Sequence, residues 1–581
     1  MLCEKNIYHD VYSINIRKKL GEEITISGWW CNFRHHGGVL FGDLRDTKGI
    51  CQLVFEDKHL IETASHLNIE TVIRIKGKVL ERSYDNINSN IPSGSFEIYV
   101  NHLEVLSKSQ ILPFHIEESR KIEQELALKY RFLYLRHDKN QKMLKMRSDL
   151  MFYVRELMRG MDFIEVQTPI LTSSSPEGAR EYVVFGTKTK GKGYVLPQAP
   201  QIFKQLLMVS GLHRYFQIAP CFRDEDSRKD RAVGEFYQID FEMSFTTEKE
   251  VFEVLNNLLI NIFKKFAPHK KVFDFVTINY KEALEKYASD KPDFRNPLYL
   301  EDVTNIFRNS SFKLFINRIE KGDIVKAIRV NREDINKVTT RGDFDRINTL
   351  AQEEGFHLGY IYKEEEECKG PISKFISDEM RENINNNECL FFLCDNKNNI
   401  KKNALQALNL ICDYFNLREK NTFRFVFVKN FPMFEKNNGI IEFSHNPFSL
   451  PEGGIEALEN MDPLEINALQ YDVVCNGIEL CSGSIRNHEI NTLIKAFEIA
   501  GYSKDEVLNK FSSILNAFQY GVPPHGGAAP GFDRILMLLL GEESIRDVTA
   551  FPLNTNGVDM MMNTPCEISQ KRLKELHIKI I

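Results

Sequence analysis

The stretch from Arg214 to Phe245, RYFQIAPCFRDEDSRKDRAVGEFYQIDFEMSF, constrains the fold more than any other part of the chain. Apolar and polar residues alternate along it, which predicts two antiparallel strands joined by a charged loop. On the first strand, Phe216, Ile218 and Phe222 share one face, opposite Tyr215, Gln217 and Arg223. On the second strand, the apolar face carries Tyr237, Ile239, Phe241, Met243 and Phe245, and the opposite face carries Phe236, Gln238, Asp240 and Glu242. The hairpin therefore has a core face and a face suited to a binding site.

The end of the first strand is suited to binding a nucleotide. Arg223 presents a guanidinium, which can hold a phosphate oxygen through two hydrogen bonds. Phe236 lies on the same predicted face, where it can stack beneath a purine base. The loop from Asp224 to Gly234 carries both signs of charge, which is typical of a loop that closes over an anionic ligand. An ordinary amphipathic hairpin with a solvated tip would show the same alternation, so the other segments must decide between these interpretations.

A second hairpin is predicted in YDVVCNGIELCSGSIRNHE, where Asn476 and Gly477 form a strong two-residue turn signal. That turn places Val474 opposite Glu479, so that Asp472 shares the face of Glu479. Two carboxylates in this arrangement suit Mg²⁺ held between the protein and a triphosphate. Arg486 is seven residues from Glu479, so it shares that face only if the strand contains a bulge, which we predict near Ser482 and Gly483.

The stretch GVPPHGGAAPGFDRILMLLLG predicts a glycine-rich approach to a helix from Phe532 to Leu540 that ends at Gly541. Arg534 lies in the first turn of that helix, from which we predict that it points toward the nucleotide site of Arg223 and Phe236. Earlier in the chain, residues 140–159 carry apolar side chains at helical spacing, and FIEVQTPIL then predicts a strand ending near Pro169. A proline there marks a sheet edge or an interface.

These segments together resemble the class II aminoacyl-tRNA synthetases. The first hairpin is similar to their motif 2, the segment around Pro169 to motif 1, and the segment with Arg534 to motif 3. Over nearly the whole chain the resemblance is to bacterial-type aspartyl-tRNA synthetases. It implies that a homodimer uses ATP and Mg²⁺ to activate L-aspartate and transfers it to tRNA-Asp. In the family, a histidine near the barrel hairpin, here His36, accompanies enzymes that also charge tRNA-Asn.

The resemblance also implies a role for each matching residue. Lys204 has a specific task, because a site that selects aspartate needs a cation for the side-chain carboxylate, which asparagine would leave unmatched. The implied contacts to aspartate are Glu177, Gln201, Lys204, Arg223, Gln238, Asp240, His445 and Arg486. The implied contacts to ATP are Arg223, Asp224, Glu225, Phe236, Glu479, Gly531, Phe532, Asp533 and Arg534. Arg223 and Arg534 are the implied catalytic residues, and Asp472 and Glu479 the implied Mg²⁺ ligands.

The first hundred residues read as an all-β region. Strands are predicted at 23–30, 39–43, 50–55, 72–80 and 96–105, with a helix near 58–67, which favours an OB-fold barrel. The stretch GWWCNFRHHGGVLFGDLRDTKGICQL resembles the anticodon-binding barrel of the same family. That resemblance implies that Phe41 stacks on an anticodon base and that Arg34, His36 and Gln52 face the anticodon, a mode suited to unstacked single-stranded bases.

A chain of 581 residues is too long for one core. We predict an OB-fold at 1–108, a linker at 109–138, a class II α+β catalytic domain with an antiparallel sheet at 139–278 and 417–581, and an inserted α+β domain at 279–416. The longest apolar runs are too short to cross a bilayer. The eleven cysteines include no CxxC pair, and the first residues lack an apolar signal core, so we expect a cytoplasmic protein. With a net charge of -6, RNA contacts must come from local patches.

Three other interpretations share part of this pattern. An asparaginyl or lysyl enzyme has the same barrel and motifs, but Lys204 with Arg486 favours an acidic side chain. An amide-forming synthetase that uses no tRNA is disfavoured by the intact barrel. A non-catalytic RNA-binding protein would be expected to lose Arg223, Glu479 or Arg534, and the sequence retains all of them.

Overall fold

The computed structural model describes residues 6–174, 179–226, 231, 234–335 and 339–580, without the side chain of Glu379. The chain divides into two compact units, Met1–Glu123 and Gln124–Ile581. Their boundary falls inside the segment predicted as a linker. Within the described ranges, no helix is both long enough and apolar enough to cross a membrane.

The first unit is a closed barrel with the strand order β1-β2-β3-β5-β4. Alternate residues of its strands, such as Ile24, Ile26 and Trp30, are buried inside the barrel. The five strands and the helix agree with the predicted OB-fold, although the first strand extends further than predicted. The strands are β1 (Glu23–His36), β2 (Val39–Arg45), β3 (Ile50–Phe55), β4 (Val72–Glu81) and β5 (Phe96–Ser107), and the helix is α1 (Lys58–Ser65). Short 3₁₀ helices lie at Ser13–Lys19, Tyr84–Asn86 and Ile116–Lys121.

The second unit contains an eight-stranded sheet, a five-stranded sheet and several two-stranded ribbons. Its strands are β6 (Ile164–Glu165), β7 (Val183–Phe185), β8 (Gly193–Val195), β9 (Arg214–Arg223), β10 (Gly234–Ser244), β11 (Lys271–Val272), β12 (Val276–Asn279), β13 (Leu300–Asp302), β14 (Ile324–Asn331), β15 (Gly359–Glu364), β16 (Glu367–Lys369), β17 (Glu388–Asp395), β18 (Thr422–Phe423), β19 (Phe425–Pro432), β20 (Phe434–Asn437), β21 (Ile440–Phe443), β22 (Asn467–Cys475), β23 (Ile478–Ile485) and β24 (His525–Ala528).

Helices surround both sheets of the second unit. They are α2 (Gln124–Lys129), α3 (Arg131–Tyr134), α4 (Asp138–Gly160), α5 (Gln201–Val209), α6 (Glu248–Phe266), α7 (Tyr280–Tyr287), α8 (Thr304–Arg308), α9 (Lys313–Ile319), α10 (Arg341–Glu353), α11 (Asp378–Glu382), α12 (Ile400–Tyr414), α13 (Gly454–Asn460), α14 (Ile490–Ile499), α15 (Lys504–Lys510), α16 (Ser512–Phe518), α17 (Phe532–Leu540) and α18 (Gln570–Leu576). Further 3₁₀ helices lie at Arg332–Asp334, Ser373–Phe375, Pro463–Glu465 and Ile545–Asp547.

The eight-stranded sheet has the order β12-β19-β22-β23-β24-β10-β9-β6. Its interior pairs are antiparallel as predicted, whereas the two outer pairs, β12 with β19 and β6 with β9, are parallel. Strand β6 lies at the sheet edge, as predicted, but it ends at Glu165, so Pro169 follows the strand and is not part of it. The sheet is therefore mixed, with an antiparallel centre that carries both predicted hairpins.

One face of this sheet packs against helices α4, α6 and α17. Ile239, Phe241 and Met243 on β10 join the same buried cluster as Leu255 and Leu258 of α6. Burial of each such side chain contributes roughly 1.5–3 kcal/mol. The prediction for Phe245 is wrong, because this residue lies past the end of β10 with φ 54° and is 75% exposed. The left-handed backbone turns the chain toward α6, which ends the alternation.

The five-stranded sheet, β13-β14-β17-β15-β16, forms the body of the predicted α+β insertion. Its central strand β17, ECLFFLCD, is apolar without alternation because both of its faces are covered. Phe391 lies in the core on the side of α10 and α12, and Phe392 lies in the core on the side of α8 and α9. Helix α7, which falls within the predicted insertion, also contacts the larger sheet, where Ala283 packs beside Val426 and Val428.

Candidate active site

A cavity lies on the open face of the eight-stranded sheet, between the hairpin β9–β10, helix α5 and the start of helix α17. The register of the hairpin pairs Phe236 with Cys221, Gln238 with Ala219 and Asp240 with Gln217. The polar face predicted from the alternation is therefore the face that lines the cavity. The predicted site residues that line it are Gln201, Lys204, Arg223, Glu225, Phe236, Gln238, Asp240, Glu479, Arg486, Gly531, Asp533 and Arg534.

Four charged side chains meet at one end of this cavity. Lys204 Nζ lies 2.8 Å from Asp240 Oδ1 and 3.3 Å from Glu242 Oε2. Arg486 donates two hydrogen bonds to Glu242, at 2.8 Å from Nε and 3.0 Å from Nη2. All four residues are almost completely buried. A buried charge is tolerated only when it is paired in this way, so the four residues act as one unit.

For each of the two acids in this group, burial raises the pKa and the neighbouring cations lower it. Burial alone would raise the pKa of the Glu242 carboxyl, but Arg486 and Lys204 outweigh it and hold the pKa at about 2. Burial raises the pKa of the Asp240 carboxyl, because Lys204 compensates for it only in part. Glu242 is therefore a permanent anion and the partner that keeps Arg486 in place.

A chain of hydrogen bonds runs from Gln201 away from the cavity, and its direction follows from one carbonyl group. His525 Nδ1 lies 2.9 Å from the Pro523 carbonyl oxygen, which can only accept, so Nδ1 carries the proton. In the neutral ring Nε2 is then an acceptor, and Gln205 Nε2 donates to it at 3.0 Å. Gln205 Oε1 accepts in turn from Gln201 Nε2 at 3.2 Å. This order leaves the carbonyl oxygen of Gln201, an acceptor, for the cavity.

The opposite end of the cavity has the groups expected for a nucleotide. The Arg223 guanidinium lies over the Phe236 ring, 4.9 Å from its centroid, and no described residue accepts a hydrogen bond from the buried Nε. Arg534 Nη1 donates to the Glu479 carbonyl at 2.7 Å and lies 3.3 Å from its Oε1. The two predicted catalytic arginines thus belong to one cavity, where each can reach an anionic ligand.

The residues around Arg534 differ in how they face this cavity. Phe532 is fully buried in the apolar core, so its side chain does not line the cavity. Asp533 uses one oxygen to pair with Arg147 at 2.5 Å and the other to accept from the Tyr237 N–H at 3.0 Å. Asp533 therefore anchors helix α17 to β10 and α4, and only the backbone of Phe532 remains for a nucleotide.

Other predicted positions lie beside the cavity or beyond the described residues. Asp224 does not line it; its N–H donates to the Arg180 carbonyl oxygen at 3.0 Å, and its carbonyl oxygen accepts from Arg180 Nε at 2.9 Å. His445 packs edge-on against Phe431 at 5.0 Å, and the next residue, Asn446, lines the cavity in its place. Glu177, and residues 227–230, 232 and 233 of the charged loop, lie outside the described residues.

The predicted carboxylate pair forms at the turn of the second hairpin. Val474 lies opposite Glu479, as predicted. The bulge is at Leu480 and not at the predicted Ser482 and Gly483, because Val473 pairs with Cys481 and Val474 with Glu479. The extra residue shifts the alternation of side chains by one position, so Arg486, seven residues from Glu479, still lies on the same face.

The surroundings shift the pKa values of these two acids in opposite directions. Burial raises the pKa of Asp472, and the negative charge of Glu479 raises it further. Burial opposes ionisation of Glu479 too, but Arg534 and Lys291 hold its pKa at about 2. Asp472 Oδ1 is buried without a hydrogen-bond partner among the described residues. This buried acceptor next to a carboxylate fits a hard divalent cation such as Mg²⁺.

In the part of the chain that the structure describes, no cluster of three or more His, Cys, Asp or Glu side chains could hold a metal. Asp472 and Glu479 would therefore need water and phosphate oxygens as further ligands. Mg²⁺ is commonly bound in this way, through one or two carboxylates and the substrate phosphates.

Three of the predicted anticodon residues are in contact in the barrel unit: exposed Arg34, half-buried Phe41 and buried Gln52. The Arg34 guanidinium lies over the Phe41 ring, 5.5 Å from its centroid, and Nη2 donates to Gln52 Oε1 at 3.4 Å. Gln52 Nε2 donates to Glu97 at 3.0 Å. His36 is exposed at the end of β1, opposite Val39. An aromatic ring beside polar groups is a suitable platform for a single-stranded base.

Sequence reasoning missed several residues of the catalytic unit. Glu242 lies on the predicted polar face, but its pairing with Arg486 depends on the position of β24 between β10 and β23. The histidine of PPHGG, His525, is a signal that could have been noticed, because a histidine beside glycines in a buried strand needs polar partners. The other missed residues are Gln205, Lys291, Asn446, Gln470 and Ser482.

Comparison with known proteins agrees with this geometry. The family model described as tRNA synthetases class II (D, K and N) matches residues 123–555, and the OB-fold nucleic acid binding domain matches residues 24–106. The chain belongs to the class II tRNA synthetase family of the D, K and N types. The predicted resemblance is thereby confirmed.

The similar curated proteins include the aspartate–tRNA(Asp/Asn) ligase of Ehrlichia canis, which is 46% identical over 99% of both chains. The aspartate–tRNA(Asp/Asn) ligase of Rickettsia bellii is 47% identical over 97% of this chain and 96% of its own.

Solved structures show the same fold at low sequence identity. An aspartyl-tRNA synthetase described as putative, from Leishmania major, gives a TM-score of 0.59 at 17% identity, covering 95% of this chain and 96% of that chain. The asparaginyl-tRNA synthetase of Pyrococcus horikoshii, complexed with asparaginyl-adenylate, gives a TM-score of 0.55 at 19% identity, covering 93% and 97%.

Proposed function

We propose that the protein is an aspartate–tRNA ligase that activates L-aspartate with ATP and transfers it to tRNA. The observation that carries the proposal is the set of donors at the buried charged end of the cavity. Lys204 has three N–H donors and uses two on Asp240 and Glu242. Arg486 Nη1 donates to Ser484 Oγ at 2.7 Å, which leaves its second N–H without a partner among the described residues. Two cationic donors are thus left for a substrate carboxylate.

These donors explain a preference for aspartate. A side-chain carboxylate matches two cationic N–H groups, whereas the amide of asparagine offers one oxygen and brings an N–H₂ group toward the cations. The long ammonium of lysine would meet two positive charges. A site built to bind a charged group rejects neutral analogues strongly, since its own buried polar groups are then left unpaired.

The first reaction step requires positioning and charge stabilisation without a side-chain nucleophile. An oxygen of the aspartate α-carboxylate forms a bond to the α-phosphorus of ATP, and the bond from that phosphorus to the bridging oxygen breaks to release pyrophosphate. Arg223 and Arg534 would stabilise the charge on the phosphoryl oxygens, with the adenine ring stacked on Phe236. Asp472 and Glu479 would hold Mg²⁺, which neutralises triphosphate charge when bound. In the second step the terminal ribose hydroxyl of tRNA, with loss of its proton, displaces AMP from the aspartyl carbonyl carbon.

We propose further that the enzyme charges both tRNA-Asp and tRNA-Asn. His36 lies at the tip of the β1–β2 hairpin in the barrel unit, and the similar proteins of Ehrlichia and Rickettsia carry names that specify both tRNAs. The test is aspartate charging of purified tRNA-Asp and tRNA-Asn transcripts side by side, with asparagine and lysine as control amino acids. We expect aspartate on both transcripts and neither control amino acid on either. Charging of tRNA-Asp alone would refute the wider scope, and charging of neither would refute the ligase function.

A cytoplasmic homodimer is the final part of this proposal. Large apolar side chains are exposed around the predicted motif 1, including Phe152, Ile164, Ile170 and Leu171. A patch of this kind is typical of a protein–protein interface. The ten described cysteines form no disulfide with one another, which suits a reducing compartment. Light scattering of the purified protein should give twice the 67.5 kDa mass of one chain.

A further inference from the structure

The segment from Ser289 to Arg295, between helix α7 and the five-stranded sheet, lies against the turn that carries Glu479. At this turn Gly477 has φ 81°, and a Cβ atom there would lie 3.3 Å from Asp293 Cβ. Arg295 Nη2 donates to the Asn476 carbonyl oxygen at 3.4 Å. The segment is therefore in direct contact with the hairpin that brings Asp472 and Glu479 together.

A half-buried ion group holds this segment in place. Asp293 accepts from Arg295 at 2.9 Å and 2.8 Å, and Arg418 Nη1 donates to Asp293 Oδ2 at 2.6 Å. The Glu419 N–H donates to the Arg295 carbonyl at 2.9 Å, which joins the segment to the chain that enters β18 and β19. The backbone beside Lys291 is thereby positioned by contacts from three parts of the chain.

This arrangement directs Lys291 into the carboxylate pair. Lys291 Nζ lies 2.8 Å from Glu479 Oε2, while Arg534 lies 3.3 Å from Oε1 of the same carboxylate. Both oxygens of Glu479 are thus occupied by cations of the protein itself. The Lys291 side chain is 41% exposed, so its ammonium can leave Glu479 without crossing the core.

A divalent cation and the Lys291 ammonium compete for the same place. A cation between Asp472 and Glu479 needs an oxygen of Glu479, and charges of the same sign repel strongly when they share one carboxylate. When Lys291 moves away it loses its ion pair with Glu479, and a second anion nearby can replace that pair. The β- and γ-phosphates of a nucleoside triphosphate are such an anion, and they also supply the further ligands that a two-carboxylate site lacks.

We propose that Lys291 is a positioning residue that acts as the internal counter-ion of Glu479. It excludes free divalent cations from the carboxylate pair until a nucleoside triphosphate offers phosphate oxygens to its ammonium. Metal and nucleotide therefore bind with positive coupling, each raising the affinity for the other. The inference rests on the proposed function only in the identity of the nucleotide, which is ATP.

The test is a titration of the full-length protein with Mn²⁺, followed by electron paramagnetic resonance of the free ion, with and without a non-hydrolysable ATP analogue. Lys291→Met removes the charge and keeps the apolar stem. We expect this variant to bind Mn²⁺ alone about tenfold more tightly than the wild type, and the coupling between Mn²⁺ and the analogue to fall by about the same factor. The double variant Glu479→Gln with Lys291→Met should lose this increase in Mn²⁺ affinity, which would show that the extra affinity arises at Glu479.

Lys286→Met is the matched control, because Lys286 lies on helix α7 and pairs with Glu282 at 2.8 Å on the surface. It should leave Mn²⁺ affinity unchanged, and circular dichroism should show that all variants are folded. Unchanged or weaker Mn²⁺ binding by the Lys291→Met protein would overturn the inference. The proposed function is tested separately, by aspartate-dependent pyrophosphate exchange of the wild type. If that exchange were absent, the proposed function would fail, but the comparison of Mn²⁺ binding between the variants would still test the role of Lys291.

Discussion

Arg486 donates two hydrogen bonds to Glu242, at 2.8 and 3.0 Å, across 244 positions of the chain. Both residues are buried, so removal of either one leaves an uncompensated charge that costs about 3–5 kcal/mol. Lys204, 3.3 Å from Glu242, keeps part of that compensation when Arg486 is lost. We expect Arg486→Met to lower the apparent melting temperature of the full chain by several degrees in calorimetry.

A double variant distinguishes the interaction between Arg486 and Glu242 from a general loss of packing. Arg486→Met with Glu242→Gln removes both charges, so its loss of stability should be smaller than the sum of the two single losses. Strict additivity would show that the ion pair contributes nothing of its own.

The pH dependence of stability should report on His525. Burial is the main reason that the pKa of this histidine falls to about 4 from an ordinary 6.5. Between these two pH values the unfolded chain binds a proton at His525 that the folded chain does not. The contribution of neutral His525 to the free energy of unfolding is therefore complete above pH 6.5 and is lost as the pH falls toward 4. The loss at pH 5.5 is about 1 kcal/mol. Glu242, with a pKa of about 2, loses its contribution only below its ordinary 4.5.

The measurement is the apparent melting temperature at pH 7.5 and 5.5 for the wild type and for His525→Asn. Acidification should lower the value more for the wild type than for the variant. An equal decrease in both proteins would contradict the low pKa of His525.

The direction of the hydrogen bonds through Gln205 leads to a prediction on substrate affinity. Gln205→Leu removes the acceptor for Gln201 Nε2, so the Gln201 amide can turn its N–H₂ group toward the cavity in place of the carbonyl oxygen that would contact aspartate. We expect KM for aspartate to rise about fivefold to tenfold, the effect of one lost hydrogen bond, with a smaller change in kcat.

Gln205→Glu tests the direction itself. A carboxylate still accepts from Gln201, but it requires a proton on His525 Nε2. KM for aspartate in this variant should therefore increase as the pH rises, more steeply than in the wild type. Equal pH profiles for the two proteins would show that the order of donors and acceptors does not matter.

Arg223 should be needed for the first chemical step and not for folding. Its buried Nε has no hydrogen-bond partner among the described residues, so Arg223→Ala breaks no hydrogen bond from that atom. We expect ATP–pyrophosphate exchange to fall by about 10²–10³, as for loss of a preorganised donor, with an unchanged melting temperature. Arg223→Lys should recover only part of the rate, because a single ammonium cannot bind in a bidentate way. Normal exchange by Arg223→Ala would refute this role.

Phe41 should affect tRNA and leave amino-acid activation intact. Base stacking on an aromatic ring contributes about 1–3 kcal/mol, so Phe41→Ala should raise KM for tRNA by about 5- to 150-fold. Phe41→Trp keeps a stacking face and should remain close to the wild type. Aminoacylation kinetics with varied tRNA, compared with pyrophosphate exchange without tRNA, measure the two effects. A rise in KM for ATP with no change for tRNA would contradict the anticodon role.

The local features of the site could be predicted from the sequence because they follow from strand geometry. Side chains alternate along a strand, so Phe236, Gln238 and Asp240 had to share a face once the hairpin formed. The turn at Asn476 and Gly477 likewise determined that Val474 faces Glu479. The need for a bulge before Arg486 follows from parity, but one extra residue anywhere between Glu479 and Arg486 satisfies parity equally. In the structure the extra residue is Leu480.

By itself the sequence determined the elements, the polar face of each hairpin and the family to which the chain belongs. Only the tertiary structure decided which residues from distant segments meet: Glu242 with Arg486, Gln205 with His525, and Lys291 with Glu479. It also decided that Phe532 points into the core while Arg534 faces the cavity. The physical reason is that alternation and turn signals act over a few residues, whereas these contacts depend on the order of strands in the sheet and on which buried charges can find a partner.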